Sequence, residues 1–238
     1  MQLFYNADIS PKITEFTFNK EESRHIIKVL RKKEGDTIQL INGKGLLFNS
    51  EVVIANEKKC FVQITSCKEI PKQWDYHLHI AIAPTKMNDR YEWFLEKATE
   101  IGIDEITPII CDNSERKIIK HDRMKKVIIS AMKQSLKFHL PIWNSPTTFS
   151  EFLENDIKGA KFIAHCEDSD KKNLSDQIKN TLNITILIGP EGDFSTKEIS
   201  NALQHQFIPL SLGKSRLRTE TAGIVACNTV SILKNNAT

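Results

Sequence analysis

Beyond residue 71 the chain alternates short apolar runs with amphipathic segments, and this alternation constrains its fold more than any other feature. Strands that alternate with helices are typical of a mainly parallel sheet covered by helices on both faces. The strands are predicted at Leu78–Ala83, Glu105–Ile110, Phe162–His165, Thr185–Ile188 and Ile208–Leu210. The helices are predicted at Arg90–Ile101, His121–Ser135, Ser195–His205 and Thr219–Leu233. Residues 72–238 are therefore expected to form an α/β domain.

The first 71 residues have a different pattern, with short strands around a single helix. The helix is predicted over Asn19–Lys32, with a capping box at its start and an end before Gly35. Asn42–Gly45 has the composition of a turn between two strand-like runs. Further strands are predicted at Gln2–Tyr5, Thr37–Ile41 and Phe61–Thr65. Residues 1–71 are expected to form a small β-rich barrel.

Composition excludes several classes of protein. With 40% hydrophobic and 26% charged residues the chain can bury a core, and no apolar run reaches the roughly 20 residues of a membrane span. The net charge of +3 does not by itself indicate a nucleic-acid binder. The five cysteines form no CxxC pair and no zinc-ligand spacing, so we expect reduced thiols, no metal site and a cytoplasmic location.

Two glycine loops carry the strongest chemical signal. The predicted strand Thr185–Ile188 stops at Gly189–Gly192, and a helix then begins at Ser195 with Glu198 completing a capping box. A second loop, Leu212–Ala222, follows the predicted strand Ile208–Leu210. Glycine loops at the carboxyl ends of parallel strands are where open α/β sheets bind ligands, although each loop alone could be a plain strand-to-helix turn.

A phosphate-binding loop of the Walker type is excluded at Gly213-Lys214-Ser215. That motif needs a glycine five residues before Gly213, where this chain has Ile208. A nucleotide triphosphatase is therefore disfavoured.

The two loops resemble those of the ribosomal RNA small subunit methyltransferase E family, which belongs to the SPOUT class. The resemblance lies in Ile188–Gly192 and in Leu212-Gly213 with Arg216–Ala222, and it extends to Arg24–Arg31 and Lys97–Gly102. It implies a PUA-like RNA-binding domain over residues 1–71 and a SPOUT methyltransferase domain with a trefoil knot over residues 72–238. It also implies a homodimer that uses S-adenosyl-L-methionine (SAM) to methylate N3 of a decoding-site uridine, in helix 44 of 16S rRNA, within the 30S subunit.

Candidate site residues follow from the resemblance. The cofactor is expected to contact Ile188, Gly189, Pro190, Glu191, Gly192, Leu212, Gly213, Arg216 and Leu217. Arg218, or else Arg216, would stabilise charge on the uracil carbonyls, and Glu220, or else Glu191, would accept a proton. Structural alternatives are an ion pair with a neighbouring glutamate for each arginine and compensation of a helix dipole for Glu220.

RNA contacts are predicted in two basic clusters, residues 24–33 and 116–137. The first contains five basic residues and no acid, and the second contains eight basic residues and the single acid Asp122. The residues assigned to RNA binding are Arg24, His25, Lys28, Arg31, Lys32, Arg116, Lys117, Arg123 and Gln134. Each cluster could instead be an ordinary solvated helix face.

The chain departs from the family pattern at two places. Asp193 stands where a further glycine is usual, so a position that needs positive φ would be carried by aspartate. Lys133–Lys137 matches the family segment only at Gln134 and Ser135.

Two other functions stay open: a noncatalytic RNA-binding protein, and a SPOUT methyltransferase that acts on another nucleotide. His165 and Cys166 end a predicted strand close to the proposed pocket, where they could line it, but a packing role is favoured.

Overall fold

The computed structural model describes residues 2–167, 170–178 and 181–235, and the chain divides into two compact units. Unit 1 consists of residues 1–73 and 132–140, and unit 2 of residues 74–131 and 141–238. The predicted boundary after residue 71 lies close to the first of these divisions. The return of residues 132–140 to unit 1 has no counterpart in the sequence prediction, and the domain limits stay a prediction.

Unit 1 contains a five-stranded sheet that is mostly antiparallel. Its strands are β1 (Leu3–Tyr5), β2 (Glu15–Thr17), β3 (Thr37–Ile41), β4 (Leu46–Ile54) and β5 (Phe61–Glu69). They lie in the order β1-β3-β4-β5-β2, and only β1 and β3 are parallel to each other. The sheet encloses an apolar core that includes Phe4, Ile26, Leu40 and Phe48. This arrangement agrees with the predicted β-rich unit.

The helix of unit 1 is shorter than predicted. Asn19 caps it as expected, but α1 (Lys20–Arg24) continues into a wide π-helical turn and ends at Leu30. Arg31 then adopts a left-handed conformation with φ of 55°, and the Lys32 amide donates to the Ile26 carbonyl. The extent predicted to Lys32 was therefore wrong, because the helix stops before it reaches any glycine.

Unit 2 contains a parallel sheet of eight strands, which agrees with the predicted α/β fold. Its strands are β6 (His77–Ile82), β7 (Glu105–Ile110), β8 (Ile142–Trp143), β9 (Thr147–Thr148), β10 (Ala160–Ala164), β11 (Lys172–Asn173), β12 (Asn183–Ile188) and β13 (Ile208–Ser211). The order is β11-β13-β10-β12-β6-β7-β8, with β9 paired to β7. Five of the six residues of β12 are buried, as expected of a strand covered on both faces.

Within the described part of the chain, six helices accompany this sheet. They are α2 (Asn88–Ile101), α3 (His121–Gln134), α4 (Phe149–Leu153), α5 (Leu174–Gln177), α6 (Thr196–Gln204) and α7 (Thr219–Asn235). The long helices are the four that the sequence predicts, whereas the short α4 and α5 were not predicted. The division between the two units falls inside α3. Among the helices described, none combines the length and apolar character that crossing a membrane requires.

Candidate active site

Three neighbouring strands bring the predicted loops together at one edge of the unit 2 sheet. In β10, Ala164 pairs with Ile188 of β12 on one side and with Leu210 of β13 on the other. Because the strands are parallel, all three chains leave the sheet at the same edge. A cavity of about 830 Å³ lies there, within the usual range of a small-molecule site.

Eight of the nine predicted cofactor residues line this cavity. They are Ile188, Gly189, Pro190, Glu191, Leu212, Gly213, Arg216 and Leu217. Gly192 is not part of the lining. Its carbonyl accepts a hydrogen bond from the side-chain amide of Asn113 at 3.2 Å, and a β-carbon on Gly192 would come within 3.2 Å of the Asn113 side chain. Gly192 is therefore packed against another loop.

Hydrogen bonds fix the first loop from several directions. Glu191 accepts a bond from the Lys86 amide at 2.9 Å through Oε1. Its other oxygen is buried and lacks a hydrogen-bond partner among the described residues. The Gly189 carbonyl accepts a bond from the Thr219 hydroxyl at 3.0 Å, which joins the first loop to the start of α7.

Asp193 takes the positive φ that the departure from glycine predicted. Its φ is 62°, and its carboxylate accepts bonds from the Cys166 amide at 2.7 Å and the Phe194 amide at 2.9 Å. Asn113 also donates to the Asp193 carbonyl at 3.1 Å. The side chain thus ties the loop after β12 to the loop after β10, which glycine could not do.

The helix after the first loop begins as predicted. Ser195 and Glu198 form a capping box, in which each side chain accepts a bond from the other's backbone amide. Asp112 extends this box with two further hydrogen bonds. The Ser195 hydroxyl donates to the Asp112 carboxylate at 2.6 Å, and the Asp112 backbone amide donates to the Glu198 carboxylate at 3.0 Å. The capping box is confirmed, and its bonds to Asp112 join the start of α6 to the chain that follows β7.

For His165 the sequence favoured packing over lining the pocket, and it was not among the predicted site residues. It follows β10 directly, lines the cavity and is only 7% exposed. Neither ring nitrogen has a hydrogen-bond partner among the described residues. Burial, and after it the charge of Lys171, lowers the pKa of the imidazole below its usual value. The packing role predicted for its neighbour Cys166 was wrong, because Cys166 is exposed.

A second cavity of about 660 Å³ adjoins the first through Arg216, Leu217 and Arg218. Glu220 lines it from the first turn of α7 and is 5% exposed. Its Oε1 lies 3.9 Å from Nε of Arg90, and its Oε2 has no hydrogen-bond partner within the described part of the chain. A buried carboxylate oxygen without a donor is costly, which points to a further ligand.

The first predicted RNA cluster lies in unit 1. Arg24, Lys28 and Arg31 are exposed, whereas His25 and Lys32 are half-buried. Lys28 forms an ion pair with Glu57 at 2.6 Å. The His25 ring stands edge-on to Phe4, with 6.2 Å between the ring centroids. Arg24 and Arg31 therefore present their charges most openly.

The second predicted RNA cluster is divided between the two units. The Arg116 guanidinium donates to the carbonyls of Thr85 and Lys86, and Arg123 pairs with Glu92 at 2.5 Å. Both cations thus have partners that the sequence did not reveal. Lys117 and Gln134 are exposed, but Gln134 belongs to unit 1 and Lys117 to unit 2.

The chain is similar to known RNA methyltransferases over most of its length. A model of the RNA methyltransferase domain matches residues 72–231, and a model of the RNA methyltransferase PUA domain matches residues 18–65. The chain is 31% identical to ribosomal RNA small subunit methyltransferase E of Buchnera aphidicola, over 90% of this chain and 87% of the relative. The chain belongs to this methyltransferase family.

Solved structures agree with the family assignment. The crystal structure of a "probable rRNA-methyltransferase" from Porphyromonas gingivalis is 39% identical, with a TM-score of 0.92 over 99% of both chains. Ribosomal RNA small subunit methyltransferase E of Neisseria gonorrhoeae, solved with bound SAM, is 25% identical, with a TM-score of 0.85 over 98% of both chains. The predicted family and the predicted SPOUT-type and PUA-like fold are confirmed.

The cavity lining fits SAM. This cofactor offers an adenine, two ribose hydroxyls, an ammonium group and a carboxylate, and the lining supplies loop backbone together with the unpaired polar atoms of His165 and Glu191. These atoms are the donors and acceptors that a polar ligand would satisfy. No group of three or more metal-binding side chains occurs among residues 2–167, 170–178 and 181–235.

Proposed function

We propose that the protein transfers a methyl group from SAM to N3 of a decoding-site uridine in helix 44 of 16S rRNA. The observation that carries this proposal is the pair of adjoining cavities in unit 2. One is lined by the two glycine loops, and the other contains Arg218 and the buried Glu220. Family membership supplies the reaction class, and the specific nucleotide rests on the resemblance of the motifs.

The cofactor would be held by the loops after β10, β12 and β13. When bound, SAM supplies an electrophilic methyl carbon on a sulfonium, so that transfer needs only an aligned acceptor. The backbone of residues 188–191 and 212–217 would cradle it, with the carbonyl of Gly189 already fixed by Thr219. The chain's contribution is a preorganised pocket that fixes orientation.

The acceptor nitrogen sets the remaining chemistry. N3 of uridine carries a proton at neutral pH and is paired within a duplex, so the base must be exposed and the proton removed. Glu220 is the proposed acceptor of that proton, because its Oε2 is buried and unpaired. The exposed Arg218 would stabilise negative charge on the uracil carbonyls as the proton leaves. The methyl group then occupies the position of the lost proton.

RNA binding is assigned to the PUA-like first domain, proposed over residues 1–71, and catalysis to residues 72–238. Arg24 and Arg31 are the leading phosphate contacts because their guanidinium groups are exposed. The proposed partners are 16S rRNA within the 30S subunit and a second copy of the chain, in the cytoplasm. These assignments follow the resemblance to the family.

Nucleoside mass spectrometry tests the proposal. 16S rRNA from cells with and without the gene is digested, and 3-methyluridine is quantified. We expect this nucleoside to disappear from the deletion strain and to return when the gene is restored. Loss of a different methylated nucleoside would support a SPOUT methyltransferase with another target. An unchanged nucleoside profile, together with no calorimetric binding of S-adenosyl-L-homocysteine, would support a noncatalytic RNA-binding protein.

A further inference from the structure

His165 occupies the central position at the ligand edge of the sheet. The residue before it, Ala164, pairs with Ile188 on one side and Leu210 on the other, and these two residues lead into the two glycine loops. His165 therefore leaves the sheet between both loops and lines the cavity that they form. A side chain here can reach a ligand that both loops surround.

The side chain is buried without hydrogen bonds. It is 7% exposed, and both Nδ1 and Nε2 lack a partner in the described part of the chain. Buried polar groups are normally satisfied, because an unsatisfied donor or acceptor loses its hydrogen bonds to water without replacement. Two unsatisfied nitrogens on one ring, in the wall of a cavity, indicate partners that a ligand supplies.

Burial favours the neutral form of the His165 ring. The positive charge of Lys171 also lowers the pKa of the imidazole, whereas the negative charges of Asp193 and Glu167 raise it. Burial is the largest of these effects, and the pKa lies below its usual value. Cys166, the next residue in the chain, has a raised pKa, so its thiol adds no charge near neutral pH. A neutral imidazole offers one N–H donor and one acceptor nitrogen, which point in different directions.

We infer that His165 is a positioning residue that binds the ribose of the cofactor, with one of its two ring nitrogens hydrogen-bonded to a ribose hydroxyl. This inference rests on the proposed SAM-dependent function. A hydroxyl both donates and accepts, so it suits either nitrogen of a neutral ring. The carboxylate of the cofactor would favour an imidazolium instead, and its ammonium group could satisfy only the acceptor nitrogen.

Binding of two cofactor fragments separates these possibilities without measuring turnover. S-adenosyl-L-homocysteine has the adenine, ribose and amino-acid parts, whereas 5′-methylthioadenosine lacks the amino-acid part. We expect His165→Phe, which keeps a ring but removes both nitrogens, to weaken calorimetric binding of both compounds by about five- to twentyfold. His165→Asn, which retains one donor and one acceptor, should restore part of the loss.

Deoxy analogues identify the group that His165 contacts. The 2′-deoxy or the 3′-deoxy form of methylthioadenosine should bind the wild-type protein about five- to twentyfold more weakly than the parent compound. The same analogue should bind His165→Phe with no further loss, because the partner of the missing hydroxyl is already gone. Wild-type affinity for S-adenosyl-L-homocysteine should stay constant between pH 7.5 and 8, since a pKa lowered from the usual 6.5 leaves the His165 ring neutral there.

Controls distinguish the failure of this inference from the failure of the proposed function. His205→Leu changes a histidine of unit 2 that does not line the cavity and should bind both compounds as the wild type does. If His165→Phe weakened the binding of S-adenosyl-L-homocysteine but not that of methylthioadenosine, the ribose assignment would be overturned. Equal binding by wild type and His165→Phe would also overturn it and leave the function standing. No binding by the wild type would overturn both.

Discussion

At the residue scale, Asp193 illustrates how a side chain can replace the conformational freedom of glycine. A left-handed backbone costs most residues about 1–2 kcal/mol, and aspartate tolerates it better than most because its short side chain bonds locally. Here the carboxylate bonds the next amide and also the Cys166 amide on another loop. The strain of the backbone is therefore offset by bonds that glycine would lack.

The loss of stability caused by a substitution at Asp193 should depend on the number of hydrogen bonds removed and on how well the new residue tolerates a positive φ. We expect losses in unfolding free energy of about 1 kcal/mol for Asp193→Asn, about 1–2 for Asp193→Gly and about 2–3 for Asp193→Ala, measured by urea denaturation. Gln206, with φ of 65°, is the matched control, and Gln206→Gly should gain up to about 1 kcal/mol. Greater stability of Asp193→Gly than of the wild type would contradict this account.

Arg218 and Glu220 should affect the chemical step more than cofactor binding. Both Arg218→Ala and Glu220→Gln are expected to lower kcat at least about a hundredfold, since charge stabilisation and proton transfer each contribute at that scale. Affinity for S-adenosyl-L-homocysteine should change less than about threefold. Single-turnover methylation of 30S subunits and calorimetry measure the two quantities.

A structural role for either residue would give a different result. Arg90→Ala removes the cation that lies 3.9 Å from Glu220 and serves as a comparison for damage to local packing. If kcat fell equally in all three variants and their unfolding free energies fell in parallel, a structural role would explain the losses.

Residue patterns could predict which loops line the cavity, but not the hydrogen bonds that hold those loops. Eight of the nine residues predicted to contact the cofactor line the cavity, because glycine loops at strand ends follow from local sequence. The bonds from Asp193 to Cys166 and from Arg116 to Lys86 join residues 27 and 30 positions apart. Such pairs depend on which strands become neighbours, which no local pattern specifies. His165 was left out of the predicted site for the same reason.

At the element scale, the contact between α2 and α7 depends on a glycine in the middle of a helix. A β-carbon on Gly223 would come within 2.6 Å of the Phe94 ring and 2.9 Å of Ile82. Phe94 and Ile82 are fully buried, so neither can move aside freely. The glycine thus allows α7 to approach both α2 and the sheet closely.

Gly223→Ala should destabilise the protein although alanine is the better helix former. The gain of about 1 kcal/mol in helix propensity is opposed by overpacking of about 1–3 kcal/mol, and close contact with a buried ring favours the larger value. We expect a net loss of about 1–2 kcal/mol in urea denaturation. In the Phe94→Leu background the same substitution should cost less, and an equal cost in both backgrounds would refute the packing argument.

Element type could be predicted better for long segments than for short ones. The five predicted strands and four predicted helices of unit 2 are present, because their apolar periodicity extends over several turns or pleats. The missed elements, such as β8, β11 and α5, have two to four residues and form only through tertiary contacts. The end of the first helix was misplaced because a wide turn at His25–Val29 replaces the usual glycine stop.

At the scale of the whole molecule, exposed cations of unit 1 should determine how RNA affinity depends on salt. Each phosphate contact contributes about 0.7–0.9 to the slope of log affinity against log salt concentration. Arg24→Ala and Arg31→Ala should each lower the slope by about that amount, measured by filter binding of a helix 44 fragment. Lys12, an exposed lysine outside the predicted cluster, provides the control, and Lys12→Ala should leave the slope unchanged. Slopes unaltered by either arginine variant would exclude the cluster from the RNA interface.

Unit 1 is assembled from two separate stretches of the chain. Met132 packs with Leu3, Ile41 and Leu47, and the Leu140 amide donates to the Gly43 carbonyl at 2.8 Å. Gly43 has φ of 70°, and a β-carbon there would come within 2.9 Å of Leu140. The later stretch is therefore an integral part of the packing of this unit.

A discontinuous unit cannot be moved between proteins by a single cut in the gene. A fragment that stops at residue 73 keeps all five strands but lacks residues 132–140, and so exposes the apolar side chains that Met132 covers. Exchange with another RNA-binding module would need two matched crossovers. Recombination should therefore tend to preserve the whole chain as one inherited block, even though its sequence reads as two modules in tandem.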